Sequence, residues 1–351
     1  MSLRTAKHQF TPNEHQFGFS LIELMIAMVL GLTIVAAVAT LSLNATRSYR
    51  VMNQAGELIE NGRYAIRVLK DDLKHAGYYG LFIPTNTNVV SQELTDPCDK
   101  PDSNLEPSPP SPSELEKSFL LPVVGYTSTP GSCVSPDTGT QVLVIRRADI
   151  IEKEPEASKV FLQTSPDKYV IGKLGKLGNP SLFAPSVKTS FDLQNAGGIA
   201  TSRLYHVTIY YVSKGTLMRR VTTNGNPVSQ PIVDGIETIQ YQYGLDCGAT
   251  PGTANDGAPD AFLSTYSMEG LANQKIQCPV NLEPAWEHVV AVRVNILARS
   301  QETDGNYIDK KSYDLNPDDG TEGEISPKND NYHRRVFSQV VRLINVSGRR
   351  E

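Results

Sequence analysis

A single carboxylate lies inside an otherwise apolar segment near the N-terminus, and its position is the strongest chemical signal in the chain. The run from Phe19 to Leu43 follows Gly18 directly and contains no charged side chain except Glu23. An ionised group in hydrocarbon costs at least about 2.5–3.5 kcal/mol, so such a residue is a functional candidate by default. Glu23 is therefore the first candidate functional residue of this chain.

The apolar run is long enough to cross a membrane, since a spanning helix needs about 20 apolar residues. The residues before it are polar and mildly basic, which predicts that they stay in the cytoplasm: Arg4, Lys7, His8, Glu14 and His15. A secretory signal peptide would have a shorter apolar core, of about 7–15 residues, with small residues after it. A plain signal anchor fits the hydropathy but does not account for Glu23.

The string GFSLIEL, from Gly18 to Leu24, resembles the N-terminus of type IV prepilins and pseudopilins. The resemblance implies that residues 1–18 are a leader and that a prepilin peptidase cleaves between Gly18 and Phe19. It also implies N-methylation of the new amine on Phe19 and an assembly role for Glu23, which would pair with that amine on a neighbouring subunit. Such pairing would compensate two charges in lipid. The alternative is that Glu23 merely reaches toward the lipid headgroups.

The helix is predicted to continue from the membrane segment (19–43) through an amphipathic half (44–76). Apolar residues recur there at helical spacing: Val51, Leu58, Ile59, Ala65, Ile66, Leu69 and Leu73. Gly77 is the expected terminator, with Lys74 and His75 in the last turn. Three glycines mark either flexible points or close contacts, and the sequence leaves both open: Gly31, Gly56 and Gly62.

Beyond the helix, the sequence predicts an extended proline-rich loop (77–118) and then a β-rich region (119–351), called the head below. Strand-like runs of β-branched and aromatic residues occur at nine places: 119–126, 141–147, 160–163, 169–171, 203–212, 216–221, 232–243, 288–298 and 335–345. These runs predict an α+β fold in which an antiparallel sheet packs one face on the amphipathic half of the helix. The sequence does not decide between one sheet and two lobes.

The head resembles the PilW-type minor pilins of type IV pili, through the succession YHVTIYYVS, GTLMRRV, PIVDGIETIQYQYG, VVAVRVNILARS and RRVFSQVVRLIN. The resemblance implies a minor pilin that helps to prime pilus assembly and sits in a tip complex supporting adhesion and twitching motility. The implied partners are the prepilin peptidase, other minor pilins, the major pilin, a large tip adhesin and the inner membrane. The implied location is the inner membrane with a periplasmic head, then the pilus tip. The alternative is a GspJ-like minor pseudopilin of type II secretion.

Four cysteines follow the membrane segment, so the prepilin hypothesis places them in an oxidising compartment that favours disulfides: Cys98, Cys133, Cys247 and Cys278. Four cysteines allow three connectivities. Pairs Cys98–Cys133 and Cys247–Cys278 are favoured because each brackets one loop-rich stretch, and free cysteines are the alternative. Their spacings do not suggest a zinc site.

The remaining composition points away from catalysis and nucleic-acid binding. The net charge is −5, and no hydrolase, metalloprotease, phosphate-binding or dinucleotide-binding motif is present. Asp314, Asn316 and Asp318 begin like a calcium loop, but Gly320 comes one position late and Ile325 replaces the final glutamate. The sequence therefore predicts a protein without enzymatic activity, cofactor or metal, in which scattered histidines such as His206 and His288 are structural.

Overall fold

The computed structural model describes residues 18–85, 96–98, 118–156, 159–173, 176–178, 191–222, 227–246, 256–265, 268, 285–316 and 323–348. The chain divides into two compact units, Met1–Asn53 and Gln54–Glu351. A long helix and an antiparallel β-rich head confirm the predicted α+β class.

Helix α1 (Leu21–His75) is continuous across the predicted membrane and amphipathic halves. In its second half the buried residues follow the helical period: Gln54, Leu58, Gly62, Ala65, Leu69 and Leu73. Four of the seven predicted core residues are therefore buried, and Val51, Ile59 and Ile66 are half-buried. This half is amphipathic, as its spacing predicts.

The end of α1 is closed from the far end of the chain. Gly77 adopts a positive φ of 72°, which fits the predicted terminator. The side-chain amide of Asn345 donates to the carbonyls of Lys74 and Ala76, at 3.3 and 3.2 Å. These carbonyls have no partner within the helix, so the amide satisfies groups that would otherwise need water.

The first sheet has eight antiparallel strands: β1 (Val123–Tyr126), β2 (Val142–Glu152), β3 (Phe161–Thr164), β4 (Tyr169–Lys173), β5 (Lys176–Gly178), β8 (Ser202–Ser213), β9 (Thr216–Val221) and β10 (Ser229–Asp234). The order along the main path is β1-β2-β8-β3-β4-β5, and β9 joins β8 to β10. Strand β8 is the centre of this sheet because it pairs with β2, β3 and β9. Lys214 and Gly215, both with positive φ, form the β8–β9 hairpin turn.

The second sheet has four antiparallel strands in the order β12-β11-β13-β16. They are β11 (Ile236–Leu245), β12 (Ala261–Ser264), β13 (Val289–Arg299) and β16 (Arg334–Arg342). Two short hairpins complete the β-structure: β6 (Gln194–Asn195) with β7 (Gly198–Ile199), and β14 (Tyr313–Asp314) with β15 (Glu324–Ile325).

Three predicted strand runs differ from the structure. In the run 119–126 only Val123–Tyr126 is a strand. The run 232–243 is divided at Gly235, whose φ is 76°, so that β10 belongs to the first sheet and β11 to the second. A Cβ at Gly235 would lie 2.9 Å from the Arg299 carbonyl oxygen, so backbone approach requires glycine there. The run 335–345 ends as a strand at Arg342, and a short helix α2 (Ile344–Ser347) follows it. Asn345 thereby reaches the end of α1.

The first sheet is covered on both faces, whereas the prediction places one face on the helix. Along β2, Leu143 and Ile145 join a core that also contains the second half of α1 and the inner face of the second sheet. The alternating residues Val142 and Val144 join a separate aromatic core, which is formed by Tyr79, Phe82, Phe119, Tyr169 and Tyr205 among others. Burial on both faces accounts for the continuous apolar run at the start of β2.

Candidate processing and assembly site

The Gly18–Phe19 peptide bond lies just outside α1. Residues 18–20 are exposed and not helical, and the first hydrogen bond of the helix runs from the Leu24 amide to the Ser20 carbonyl at 3.1 Å. A Cβ added at Gly18 would meet no atom within 4 Å. Neither secondary structure nor packing within the described residues therefore blocks access to the predicted cleavage bond.

Glu23 lies in the first turn of α1 and is exposed. A carboxylate at this end interacts favourably with the unpaired amides and the positive end of the helix dipole. Phe19, four residues earlier in the chain, is 83% exposed. The two predicted assembly residues are thus both available on the surface of a single chain.

The helix surface around Glu23 is apolar and uncovered. All residues from Gly18 to Arg50 are exposed, including the large apolar side chains of the predicted membrane segment. The hydroxyls of Thr33 and Thr40 donate to the carbonyls of Leu30 and Ala37, both at 2.8 Å, so these two polar groups have hydrogen-bond partners within the helix. By length and composition α1 can cross a membrane, and it is the one such helix among the described residues.

The second half of α1 is fastened to the first sheet by a polar cluster. Asp72 on α1 accepts hydrogen bonds from Arg147 on β2, at 3.0 Å, and from the Tyr210 hydroxyl on β8, at 2.5 Å. Burial and the neighbouring Asp72 carboxylate raise the pKa of Tyr210 well above its ordinary value. The tyrosine therefore stays a neutral donor. This cluster, which the sequence did not reveal, holds the helix in register on the head.

A second polar cluster holds the connection between β13 and β16. The buried Arg334 guanidinium pairs with Glu237 at 2.6 Å, Asp309 at 3.0 Å and Asp330 at 2.6 Å. Hydrogen bonding from Arg334 lowers the pKa of Asp330 to about 2 against the effect of burial. Burial alone would raise the pKa of Asp309, but hydrogen bonds from Arg334 and Tyr313 keep it below its ordinary range. Three carboxylates around one buried arginine form a structural network.

The predicted Cys98–Cys133 disulfide is present, with the two Cα atoms 5.4 Å apart. Both cysteines pack against the aromatic core of the first sheet. The disulfide therefore ties one point of the predicted proline-rich loop to the head. Cys247 and Cys278 lie outside the described residues, so their pairing stays a prediction.

The other residues that the sequence singles out lie in surroundings that point to structural roles. Burial and the nearby Arg147 lower the pKa of His206 to about 4, so its ring is neutral at pH 7. Within the described parts of the chain, histidine, cysteine and acidic side chains form no group that could hold a metal. Asp318 and Gly320 of the rejected calcium loop lie outside those parts. A Cβ added at Gly31 or Gly56 would meet no atom of the described residues within 4 Å. A Cβ added at Gly62 would lie 2.3 Å from the Phe337 ring, so Gly62 marks a close contact.

Comparisons with known proteins match both ends of the chain. A family model described as type IV pilus-assembly protein W, or PilW, matches residues 204–345. The model of the prokaryotic N-terminal methylation motif matches residues 14–39, which contain Gly18, Phe19 and Glu23. A solved type IV-like pilin from Thermus thermophilus is similar at 14% identity over 54% of this chain and 84% of that chain, with a TM-score of 0.25. No curated protein matches the chain.

Proposed function

We propose that this chain, as a PilW-type minor pilin of type IV pili, helps to prime pilus assembly and occupies a complex at the pilus tip. Pilin families are structural and non-enzymatic, so the proposed action is assembly. Adhesion and twitching motility then depend on the completed fibre. This chain contributes to the fibre by contacting other subunits at the tip.

The observation that carries the proposal is the uncovered apolar half of α1 with its single carboxylate. Exposed apolar surface of this extent is unfavourable in water, so it requires lipid or other helices around it. Before assembly, the inner membrane supplies that surrounding. After assembly, the corresponding helices of other subunits, including the major pilin and minor pilins, supply it.

Glu23 favours one arrangement of neighbouring subunits when the helix moves from the membrane into the fibre. Cleavage after Gly18 by the prepilin peptidase creates an amine on Phe19, which is then N-methylated. That cation and the Glu23 carboxylate of a neighbouring subunit each cost free energy when buried alone in an apolar surrounding, and they compensate each other when paired. A correctly staggered neighbour is therefore favoured over one that leaves either charge unpaired.

The head is proposed to lie in the periplasm before assembly and at the cell surface afterwards. The Cys98–Cys133 disulfide supports this orientation because such bonds persist in oxidising compartments. The basic residues Arg4 and Lys7 on the opposite side of the apolar run also support it. We propose the same division of the chain as the sequence predicts, with a leader at 1–18, a membrane half at 19–43, an amphipathic half at 44–76, a loop at 77–118 and a head at 119–351.

Replacing Glu23 tests the proposal. We expect Glu23→Ala to be cleaved normally but to be absent from sheared fibres, because the neighbour's amine is left without its partner. The matched control is Glu57→Ala, which removes an exposed carboxylate from the same helix beyond the apolar run and should be incorporated normally. Immunoblots of membrane and fibre fractions measure both. Wild-type amounts of Glu23→Ala in fibres would contradict the proposal.

A role in type II secretion is the second candidate, since the GspJ-like pseudopilins share the architecture. The match of residues 204–345 to a pilus-assembly family favours the pilus. Deletion of the gene separates the two: we expect loss of surface pili with secretion intact. Loss of secreted enzymes with normal pili would favour the pseudopilin.

A further inference from the structure

A cleft opens between the second half of α1 and β10, an edge strand of the first sheet. Its volume is about 570 Å³, within the range of about 300–1,000 Å³ that is usual for ligand pockets. Both walls belong to the compact unit Gln54–Glu351. Phe19 and Glu23 belong to the other unit, so the cleft is a feature separate from the processing and assembly site.

An irregularity in β10 gives the cleft an apolar floor. The pairing of β10 with β9 shifts between Pro231 and Val233. Such a bulge interrupts the alternation of side chains between the two faces of a sheet, and the consecutive residues Ile232 and Val233 both line the cleft. They are half-buried against the main core, as is Ile59 on α1. Their exposed parts can be covered by an apolar side chain of an occupant.

The α1 wall leaves room for that occupant. At Gly56 the wall has no side chain, and a Cβ there would meet no atom of the described residues within 4 Å. The Tyr64 side chain also lines the cleft and is 45% exposed. The cleft is therefore accessible to another chain, and an aromatic ring is available for contact with it.

Two arginines give the cleft a preference for negative charge. Arg63 and Arg67 both line it, and both are exposed. Within the described parts of the chain, neither side chain forms a hydrogen bond or an ion pair. They lie four residues apart on one helix face, where like charges disfavour each other. A carboxylate bound between them would relieve this repulsion and would match the planar guanidinium groups.

The remaining charges favour a polypeptide over a polyanion. Glu60 and Asp234 also line the cleft, and Asp234 accepts a hydrogen bond from the Thr216 hydroxyl at 2.7 Å. A nucleic acid or polyphosphate would place some of its charges beside these two carboxylates, which is unfavourable. A polypeptide can place carboxylates at the arginines and its backbone amides at Glu60 and Asp234. It can also supply the apolar side chain that the floor requires.

We infer that this cleft binds an acidic segment of a different subunit, with a carboxylate between Arg63 and Arg67 and an apolar side chain on the floor. The inference rests on the proposed function, because the proposed tip complex surrounds this chain with other subunits. It adds a contact made by the head, independent of the pairing at Glu23.

A short synthetic peptide with a leucine between two glutamates, flanked by serine and glycine, tests the inference on the full-length protein in detergent micelles. We expect saturable binding by fluorescence anisotropy of the labelled peptide. A peptide with lysines in place of the glutamates should bind at least about tenfold more weakly, because it meets Arg63 and Arg67. Equal binding of the two peptides, or no binding of the acidic one, would overturn the inference.

Substitutions on the α1 wall locate the peptide. The double variant Arg63→Gln with Arg67→Gln removes both charges and should lower the affinity about tenfold. Lys168→Gln is the matched control, because it removes an exposed charge in the turn between β3 and β4, outside the cleft. It should bind as the unsubstituted protein does. Unchanged binding by the double variant would place the peptide elsewhere and refute the cleft as its site.

Gly56→Leu tests the cleft without changing any charge. Its side chain would enter the open space at Gly56, so we expect weaker peptide binding with a helix at least as stable as before. Urea unfolding followed by Trp286 fluorescence measures the stability of the same sample. Full affinity in this variant would show that the peptide does not enter the cleft.

Three further outcomes separate the inference from its alternatives. An oligothymidylate that binds more tightly than the acidic peptide, and that the double variant no longer binds, would assign the cleft to a polyanion. Concentration-dependent dimers that the double variant abolishes would assign it to a second copy. Either result would overturn the inference. Failure of peptide binding with Glu23-dependent incorporation intact would refute the cleft and leave the proposed function standing.

Discussion

The two halves of helix α1 have the same backbone structure but different surroundings. Near its N-terminal end, Leu21 to Leu43 are apolar around the whole circumference apart from Glu23, and they are exposed in the single chain. Further along, Leu58, Ala65, Leu69 and Leu73 form one buried stripe within a core that the head completes. The second half finds its apolar partners within its own chain, whereas the first half requires lipid or other subunits. We therefore propose that membrane anchoring and attachment of the head are separate tasks of one helix.

The charged groups differ in the same way. In the described residues, Asp330, Asp309 and Glu237 have Arg334 as a partner within the head. Glu23 forms no ion pair there and is exposed. A substitution in the head should therefore alter stability, while a substitution in the first half should alter processing or assembly.

The largest effect is expected at Gly18, where Gly18→Val should abolish leader cleavage. A Cβ at Gly18 would meet no atom of the described residues within 4 Å, so folding should be unaffected. Loss of cleavage would then report recognition by the peptidase alone. Mass spectrometry of the N-terminus measures it, and a fully processed variant would remove Gly18 from the cleavage site.

The contrast in packing can be measured with two leucines of α1. Leu69→Ala should lower the free energy of unfolding of the head by about 2–5 kcal/mol, because Leu69 is fully buried. Leu32→Ala, in the exposed half, should leave that free energy unchanged. The fluorescence of the single tryptophan, Trp286, follows urea unfolding in detergent because its ring is buried against Tyr243. Equal effects of the two substitutions would contradict the difference in packing between the two halves of α1.

Two glycines in the second half of α1 allow a packed position to be compared with an uncovered one. Gly62→Ala should destabilise the head by about 1–3 kcal/mol, since its Cβ would lie 2.3 Å from a Phe337 ring atom. Gly56→Ala meets nothing within 4 Å and should stabilise the helix by up to about 1 kcal/mol. Opposite signs in the same unfolding assay are the expected result. A stabilising Gly62→Ala would show that this contact is not tight.

The smallest effect concerns the internally paired carboxylates. Asp330 has its folded pKa lowered to about 2, so its contribution to stability is complete above the unfolded value of about 4 and is lost as the pH falls toward 2. Asp330→Asn should therefore reduce the fall in stability between pH 4 and pH 2. Urea midpoints of both proteins at several pH values measure this. An unchanged slope would mean that the Arg334 pairing does not stabilise the head.

Much of the architecture was predictable because its signals are local. The apolar run from Phe19 to Leu43, the absence of proline and the period of Leu58, Leu69 and Leu73 predict α1 nearly to its end at His75. Alternating β-branched and aromatic residues likewise predict most strands of the head. The Cys98–Cys133 disulfide agrees with the prediction that each pair brackets a loop-rich stretch.

The failures concern partners far apart in the chain. The run 232–243 has strand composition throughout. It is nevertheless divided at Gly235, where the Arg299 carbonyl lies close to the backbone, and its two parts belong to different sheets. Arg334 looks like any basic residue at a strand end, but Glu237, Asp309 and Asp330 surround it after folding. No local pattern separates such an arginine from a solvated one.

Residue types and their spacing are enough to predict a membrane-length helix with one carboxylate and an amphipathic continuation, because the cost of exposing apolar groups or burying charge depends on them. The folded structure was needed to show that the first sheet is buried on both faces, that the Asn345 amide caps the end of α1 and that β16 is an edge strand of the second sheet. These features depend on which distant segments pair. Pairing is decided by the sum of many weak contacts across the whole fold, and no single segment carries that sum.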